Sequence, residues 1–287
     1  MYKRGHRRGC HHRGMETRPD AVAGTGLLVA AIRARESARE DRLFTDPFAD
    51  KLAGATGHQI LDAALAASGE RTTMQIVVRT RFWDDALLQA VSSCRQVVVV
   101  AAGMDARAYR LDWPAGTTLF ELDQPAVIAA KNGLLADDTP RCTRVAIGVD
   151  LADDWPTALT AAGFDAATPT AWLIEGLLQY LDEPAVHRLF ERVDALAAPG
   201  SVLCYDVVGR SLLKAPFMAD LLKSMADNGA PWMFGTDDPA ELAPGWTAEV
   251  TDIAEPGNRY GRWYAPVVPP DVPEAPRGYF VVASKSG

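Results

Sequence analysis

The sequence predicts an α/β chain built on an open, doubly wound parallel sheet. Three observations carry this. Residues 97–102, Val-Val-Val-Val-Ala-Ala, form an unbroken, mostly β-branched run ending at Gly103, the pattern of a strand buried on both faces. Four further strand-like runs follow at 117–122, 144–149, 170–175 and 201–208. Helical stretches at 124–136, 153–162 and 184–198 separate them, and parallel crossovers require this regular alternation.

Ahead of the sheet, residues 15–95 read as a helical cap without a strand signal. Its first helix runs from Asp20, a suitable N-cap, to about residue 40, with Val22, Leu27, Leu28, Ala31 and Ile32 at helical spacing. Asp46-Pro47 starts a short second helix, proline being tolerated in a first turn. A third covers about 72–93. The sheet-bearing part, 96–287, continues past the fifth strand into a looser insertion, about 209–264, rich in Trp, Met, Phe, Gly and Pro. Residues 246–253 and 278–283 read as closing strands, and the Pro-rich stretch 266–276 as an extended loop.

Composition narrows the function. The 287 residues are 48% hydrophobic and 23% charged, as in an ordinary globular protein. A formal charge of −8 argues against nucleic acid or anionic lipid as partner, and no apolar run is long enough for a spanning helix. Cys10, Cys94, Cys142 and Cys204 are widely spaced, which suits a reducing cytoplasm better than a disulfide scaffold or a zinc site. Residues 1–14 carry Lys3, Arg4, Arg7, Arg8 and Arg13 without an acid and read as a disordered basic tail. Their histidines and Cys10 fit no standard metal-finger spacing, and no apolar segment follows Arg7-Arg8 to make an export signal. No metal site is expected.

In an open parallel sheet, ligands bind beyond the carboxyl ends of the strands. The first strand ends in Ala-Gly103-Met-Asp105, not in the GxGxxG of a dinucleotide site, and a carboxylate at Asp105 opposes a bound pyrophosphate. A nucleoside without phosphate meets no such objection. The second strand ends in Asp123, followed by Gln124; an acceptor-only carboxylate there suits ribose hydroxyls, caps the helix from Gln124 onward, or does both. The third ends in Asp150-Leu151, an acceptor beside an apolar face, a pairing suited to adenine. Together these tips describe a nucleoside cleft.

The blocks AAGMDARAYRL, FELDQPAVIAAKNGLL, GVDLADDW and WLIEGLLQYLDEPAVHRLFERVDALAAPGSVL resemble the leucine carboxyl methyltransferase family. They are most similar to its bacterial branch of S-adenosylmethionine-dependent O-methyltransferases, of the tetracenomycin polyketide type. RARESAREDRLFTDPFA and VRTRFWDDAL, upstream, fit the same branch, whereas Ala106 departs from its usual Thr or Ser. The resemblance implies a Rossmann-like class I methyltransferase fold with an antiparallel closing strand, and S-adenosyl-L-methionine as cofactor. It implies that Arg79 pairs with the cofactor's carboxylate, Gly103 lets the backbone approach, Asp123 holds the ribose, and Asp150 with Leu151 holds the adenine. Glu175 would border the methionyl end. Two of these residues have structural alternatives: Arg79 pairing with Asp84 or Asp85 on its own helix, and Glu175 capping the loop before Leu177.

The chemistry expected is in-line methyl transfer to a carboxylate or hydroxyl of a small polyketide-like or terpenoid acceptor, with no catalytic base identified. His187 reads as a surface residue. The acceptor pocket is expected between the helical cap and the 209–264 insertion, with Trp232, Met233 and Phe234 against a flat acceptor and Tyr180, Tyr205 and Arg210 as polar contacts. The alternative is that these aromatics are the insertion's own core. Methylation of a protein's C-terminal carboxylate, a dinucleotide oxidoreductase and a non-catalytic cofactor module are the competing functions. Self-association as a homodimer is left open.

Overall fold

The computed structural model describes residues 19–263 and 265–286. The basic tail at 1–14 lies outside the described residues. Three helices come first: α1 (Pro19–Ser37), α2 (Ala49–Ser68) and α3 (Arg71–Ala90). The alternation follows with β1 (Gln96–Val100), α4 (Arg107–Arg110), β2 (Thr118–Asp123), α5 (Pro125–Leu134), β3 (Thr143–Gly148) and α6 (Trp155–Ala161). It continues with β4 (Thr170–Ile174), α7 (Glu183–Leu196) and β5 (Val202–Val208). After β5 come α8 (Arg210–Lys214), α9 (Ala219–Asp227), β6 (Trp246–Asp252), α10 (Ala254–Arg259) and β7 (Gly278–Lys285).

The strands form one sheet in the order β3-β2-β1-β4-β5-β7-β6. Strands β1 to β5 pair in parallel, and β7 runs antiparallel between β5 and β6. The sequence reading therefore holds for the sheet, including both closing strands. The chain reverses its strand order between β1 and β4, and the tips there face a common cleft.

Both faces of β1 are covered, which is why its sequence does not alternate. Val97 and Val99 pack with α1, α2 and α3, whereas Val98 and Val100 pack with Trp155 of α6 and Val186, Leu189 and Val193 of α7. The N-terminal helices thus share a core with the sheet. No helix among the described residues is long and apolar enough to cross a membrane.

The second helix differs from expectation. A short helical segment does follow Asp46-Pro47, from Ala49, but beyond a break at Gly54, whose φ is +55° and ψ −174°, the helix resumes and runs on to Ser68. Its glycines discourage a long helix on propensity, yet one of them has a packing role. A Cβ on Gly57 would lie 2.6 Å from the Leu27 carbonyl oxygen, so the close crossing of α1 and α2 requires glycine there. Asp20, read as an N-cap, lies inside α1, which is already formed at Pro19.

Candidate functional site

A cavity of about 500 Å³ opens at the strand tips. At its floor β1 ends in a distorted turn: Ala101 has φ +55° and Gly103 φ +46°. A left-handed alanine is uncommon and marks a backbone held in place by its surroundings. Nothing lies within 4 Å of where a Gly103 Cβ would sit, so the glycine leaves the cavity floor open.

Asp123, the last residue of β2, braces this turn. Its Oδ2 accepts the Gly103 N–H at 2.6 Å and its Oδ1 the Gln124 N–H at 2.7 Å. It is therefore not a cap reaching into α5, the alternative reading. Burial pushes its carboxyl up, and those two N–H groups pull back against that. From beneath, Lys131 of α5, fully buried, donates to the Asp105 carbonyl oxygen at 2.8 Å and pairs with Glu121 at 2.9 Å. In the loop after β3, Asp150 Oδ1 accepts the Ala152 N–H at 2.9 Å.

A chain of buried ion pairs forms the opposite wall. Arg79 Nε on α3 donates to Glu175 Oε1 at 2.8 Å, and Arg107 Nη1 donates to Glu175 Oε2 at 2.7 Å. Arg107 Nε also donates to Asp84 at 2.7 Å, and Arg110 grips Asp84 through both terminal nitrogens at 2.7 and 2.6 Å. Arg107 pairs with Asp105 as well. Arg79 thus pairs with neither Asp84 nor Asp85, and Glu175 bridges two arginines instead of capping the following loop. Burial opposes the charge on Glu175, but Arg107 and Arg79 outweigh it and hold the carboxyl below its usual range. Likewise Arg107 and Lys131 overcome burial at Asp105 and hold it at about 2.

Asp206 of β5, unremarked in the sequence, lies behind this wall. Its Oδ1 accepts the Gly176 N–H at 2.8 Å, and Oδ2 is 3.6 Å from Arg79 Nη1. Burial, with the like charge of Glu175, pushes it up to about 6 despite Arg79. Gly176 has φ +64°, and a Cβ there would meet Arg79 Nη1 at 2.9 Å. Arg33 of α1 also faces the cavity, held by Asp46 at 2.8 Å and by the Met104 carbonyl oxygen at 2.5 Å.

Arg79, Gly103, Asp123, Gln124, Asp150, Leu151, Glu175 and Tyr180 all line this one cavity. Tyr205, Arg210, Trp232 and Phe234 do not. Tyr205 is wholly buried, with its hydroxyl donating to the Pro239 carbonyl oxygen at 2.7 Å, and Phe234 is 4% exposed in the same core. Arg210 is exposed, its Nε 3.5 Å from the Gly235 carbonyl oxygen. Trp232 stands one layer back, edge-on to Tyr180 at 6.4 Å between ring centres. Of the two walls expected, the helical cap supplies one through Thr25, Gly26, Val29 and Arg33 of α1, whereas no residue of the 209–264 insertion lines the cavity. Among the described residues no cluster of His, Cys, Asp or Glu is placed to hold a metal ion, and His187 is exposed.

Residues 26–194 match the family described as leucine carboxyl methyltransferase. A relative from Mycobacteroides abscessus is 40% identical, covering 92% of this chain and 92% of its own, and bears the name "Putative S-adenosyl-L-methionine-dependent methyltransferase". A Streptomyces avermitilis relative with the same description is also 40% identical, covering 91% of this chain and 94% of its own. Among solved structures, one described as a "putative methyltransferase" from Thermobifida fusca superposes with a TM-score of 0.64 at 16% identity, covering 91% of this chain and 94% of the other. That likeness concerns the fold.

Proposed function

The chain belongs to the leucine carboxyl methyltransferase family, and from that premise we propose that it forms methyl esters on small organic acids. It is an S-adenosyl-L-methionine-dependent methyltransferase, as its 40%-identical relatives are named. The residues present fit that cofactor. Asp123 and Asp150 offer carboxylate oxygens to ribose hydroxyls and to an adenine amino group, and Leu151 offers an apolar contact to the base. Arg79 spends Nε on Glu175 and has Nη1 3.6 Å from Asp206, which leaves Nη2 as the donor least committed and so the one assigned to the cofactor's carboxylate. Asp105 stays ionised, so a phosphate at the turn would be repelled.

Bound S-adenosyl-L-methionine supplies a methyl group already activated by the sulfonium charge. What remains for the protein is to align the acceptor oxygen and keep water out; orientation of this kind is worth about 7–11 kcal/mol in favourable systems. Tyr180, 8% exposed and lining the cavity, is assigned to the acceptor.

The observation that carries carboxylate over hydroxyl is the acid–base character of the cavity. Of the carboxylates lining it, Glu175 and Asp105 are held ionised by neighbouring cations and hold a proton poorly at neutral pH, and Asp123, though burial pushes its carboxyl up, is committed through both oxygens to the Gly103 and Gln124 N–H groups. No histidine lines it among the described residues. A carboxylic acid acceptor, with a pKa near about 4, arrives already ionised, whereas a phenol near about 10 needs a base. The test uses methyl-labelled cofactor and a panel of hydroxy-acids. Extractable label released as methanol by mild alkali supports the proposal. Alkali-stable label identifies an ether, and label on a protein band identifies a macromolecular acceptor; either refutes it.

A further inference from the structure

The loop after β3 carries both residues assigned above to adenine, and from Asp150 to Asp154 every residue faces solvent except Leu151, half-buried against the core. Asp150, Ala152, Asp153 and Asp154 are all exposed. Internal bonds shape the loop: Ala152 N–H donates to Asp150 Oδ1 at 2.9 Å and Asp153 N–H to the Asp150 carbonyl oxygen at 3.0 Å. Its entry is tied to β2 by the Val149 N–H, which donates to the Asp123 carbonyl oxygen at 2.8 Å. Beyond that point Leu151 packs at the edge of the core that Trp155 and α7 share, and the hydrogen bonds that tie the loop to an element distant in sequence come, among the described residues, from a single side chain. Arg192 of α7 donates from Nη1 to the Leu151 carbonyl oxygen at 3.2 Å and to the Asp153 carbonyl oxygen at 2.8 Å. These bonds span 41 and 39 residues of sequence, and Arg192 itself lines the cavity beside Leu189. A cation is well suited here, because Asp150, Asp153 and Asp154 crowd three negative charges into five residues.

We propose that Arg192 is a positioning residue for base selection: by gripping the backbone on both sides of Ala152 it sets Asp150 and Leu151 against the purine. The inference rests on the assignment of those two residues to adenine. Asp150 has one oxygen committed to the loop and one left for the base. A 6-amino group donates to that oxygen, whereas a 6-oxo group sets acceptor against acceptor. Discrimination between the two purines therefore depends on where Arg192 holds the loop, although Arg192 need not touch the 6-position.

The test is calorimetric titration of the full chain with S-adenosylhomocysteine and with S-inosylhomocysteine, in wild type, R192M and R192K. R192M keeps the aliphatic stem and removes both donors; R192K returns one flexible donor. Wild type should prefer the adenosyl compound at least about tenfold. R192M should weaken the adenosyl compound about 5- to 20-fold, as for loss of hydrogen bonds from a charged group, and the inosyl compound less than about 2-fold, with R192K between. Equal weakening of both compounds means a merely structural role and overturns the proposal, as does no change in either. A wild type indifferent to the base overturns the adenine assignment and the inference together. A discriminating wild type whose ratio R192M preserves overturns the role of Arg192 alone.

Discussion

Replacing Asp123 by asparagine probes the ribose contact with the least change of shape. In the structure both carboxylate oxygens already accept backbone N–H groups, from Gly103 at 2.6 Å and Gln124 at 2.7 Å. An asparagine can serve only one of them, since its other terminal atom is a donor facing a donor. Two losses follow. The turn carrying Gly103 keeps an unsatisfied N–H, which should lower stability by about 1–3 kcal/mol. Ribose hydroxyls lose an ionised acceptor, which should weaken binding by about 1.5–3 kcal/mol, or about 10- to 150-fold in Kd. Urea unfolding reads the first and calorimetric titration with S-adenosylhomocysteine the second. 5′-Methylthioadenosine, which keeps the ribose but lacks the amino-acid part, should weaken to the same extent. A Kd within about twofold of wild type for both ligands would remove Asp123 from the ribose and refute the reasoning.

Three other expectations follow from the same geometry. Arg79→Lys replaces a planar fork by a point donor and should weaken S-adenosylhomocysteine by about 1–2 kcal/mol while leaving methylthioadenosine unchanged; parallel losses would show that Arg79 does not reach the carboxylate. Gly176→Ala forces a side chain into a φ of +64° and against Arg79 Nη1, so it should lower both stability, by about 1–3 kcal/mol, and cofactor affinity; unaltered affinity would separate the turn from the site. Asp206 is pushed up to about 6 from the ordinary 3.8, so between about pH 4 and pH 6 the folded chain holds a proton that the unfolded chain releases. Its contribution to stability therefore falls as pH rises through that window and stays low above it. Asp206→Asn should remove a fall on the order of 3 kcal/mol from urea-unfolding free energies measured across pH 4–6, and an unchanged slope would contradict the burial argument.

What the sequence made legible was backbone periodicity and the residues it delivers to strand tips. Gly103, Asp123, Asp150 and Glu175 lie at or within three residues of the ends of β1, β2, β3 and β4, whose alternation with helices is plain in the sequence, so their convergence followed from topology alone. Aromatic residues carry no such address. Tyr205 sits in β5 with its side chain on the face covered by α7, and Phe234 fills the same core, although their residue types suit an acceptor pocket equally well. Ion pairing was equally hidden: Arg107 meets Glu175 across 68 residues and Asp84 across 23, and nothing local to any of them announces a partner. The signal that could have been used is a charge inside a buried strand. Asp206 interrupts the apolar run of β5, and a carboxylate there needs a buried donor, which Gly176 and Arg79 supply. That the helical cap walls the cavity was expected, but that α1 packs closely enough on α2 to need glycine at Gly57 is a tertiary fact that helical spacing does not encode.

The central claim is that the strand tips grip an adenosyl group carrying a methionine and no phosphate. A crystal structure with bound S-adenosylhomocysteine tests it most directly. The ribose hydroxyls should lie on Asp123, the purine on Asp150 and Leu151, and the amino-acid carboxylate on Arg79. Density for the ligand away from these tips, or a purine lodged against the Arg79–Glu175 wall, would contradict it.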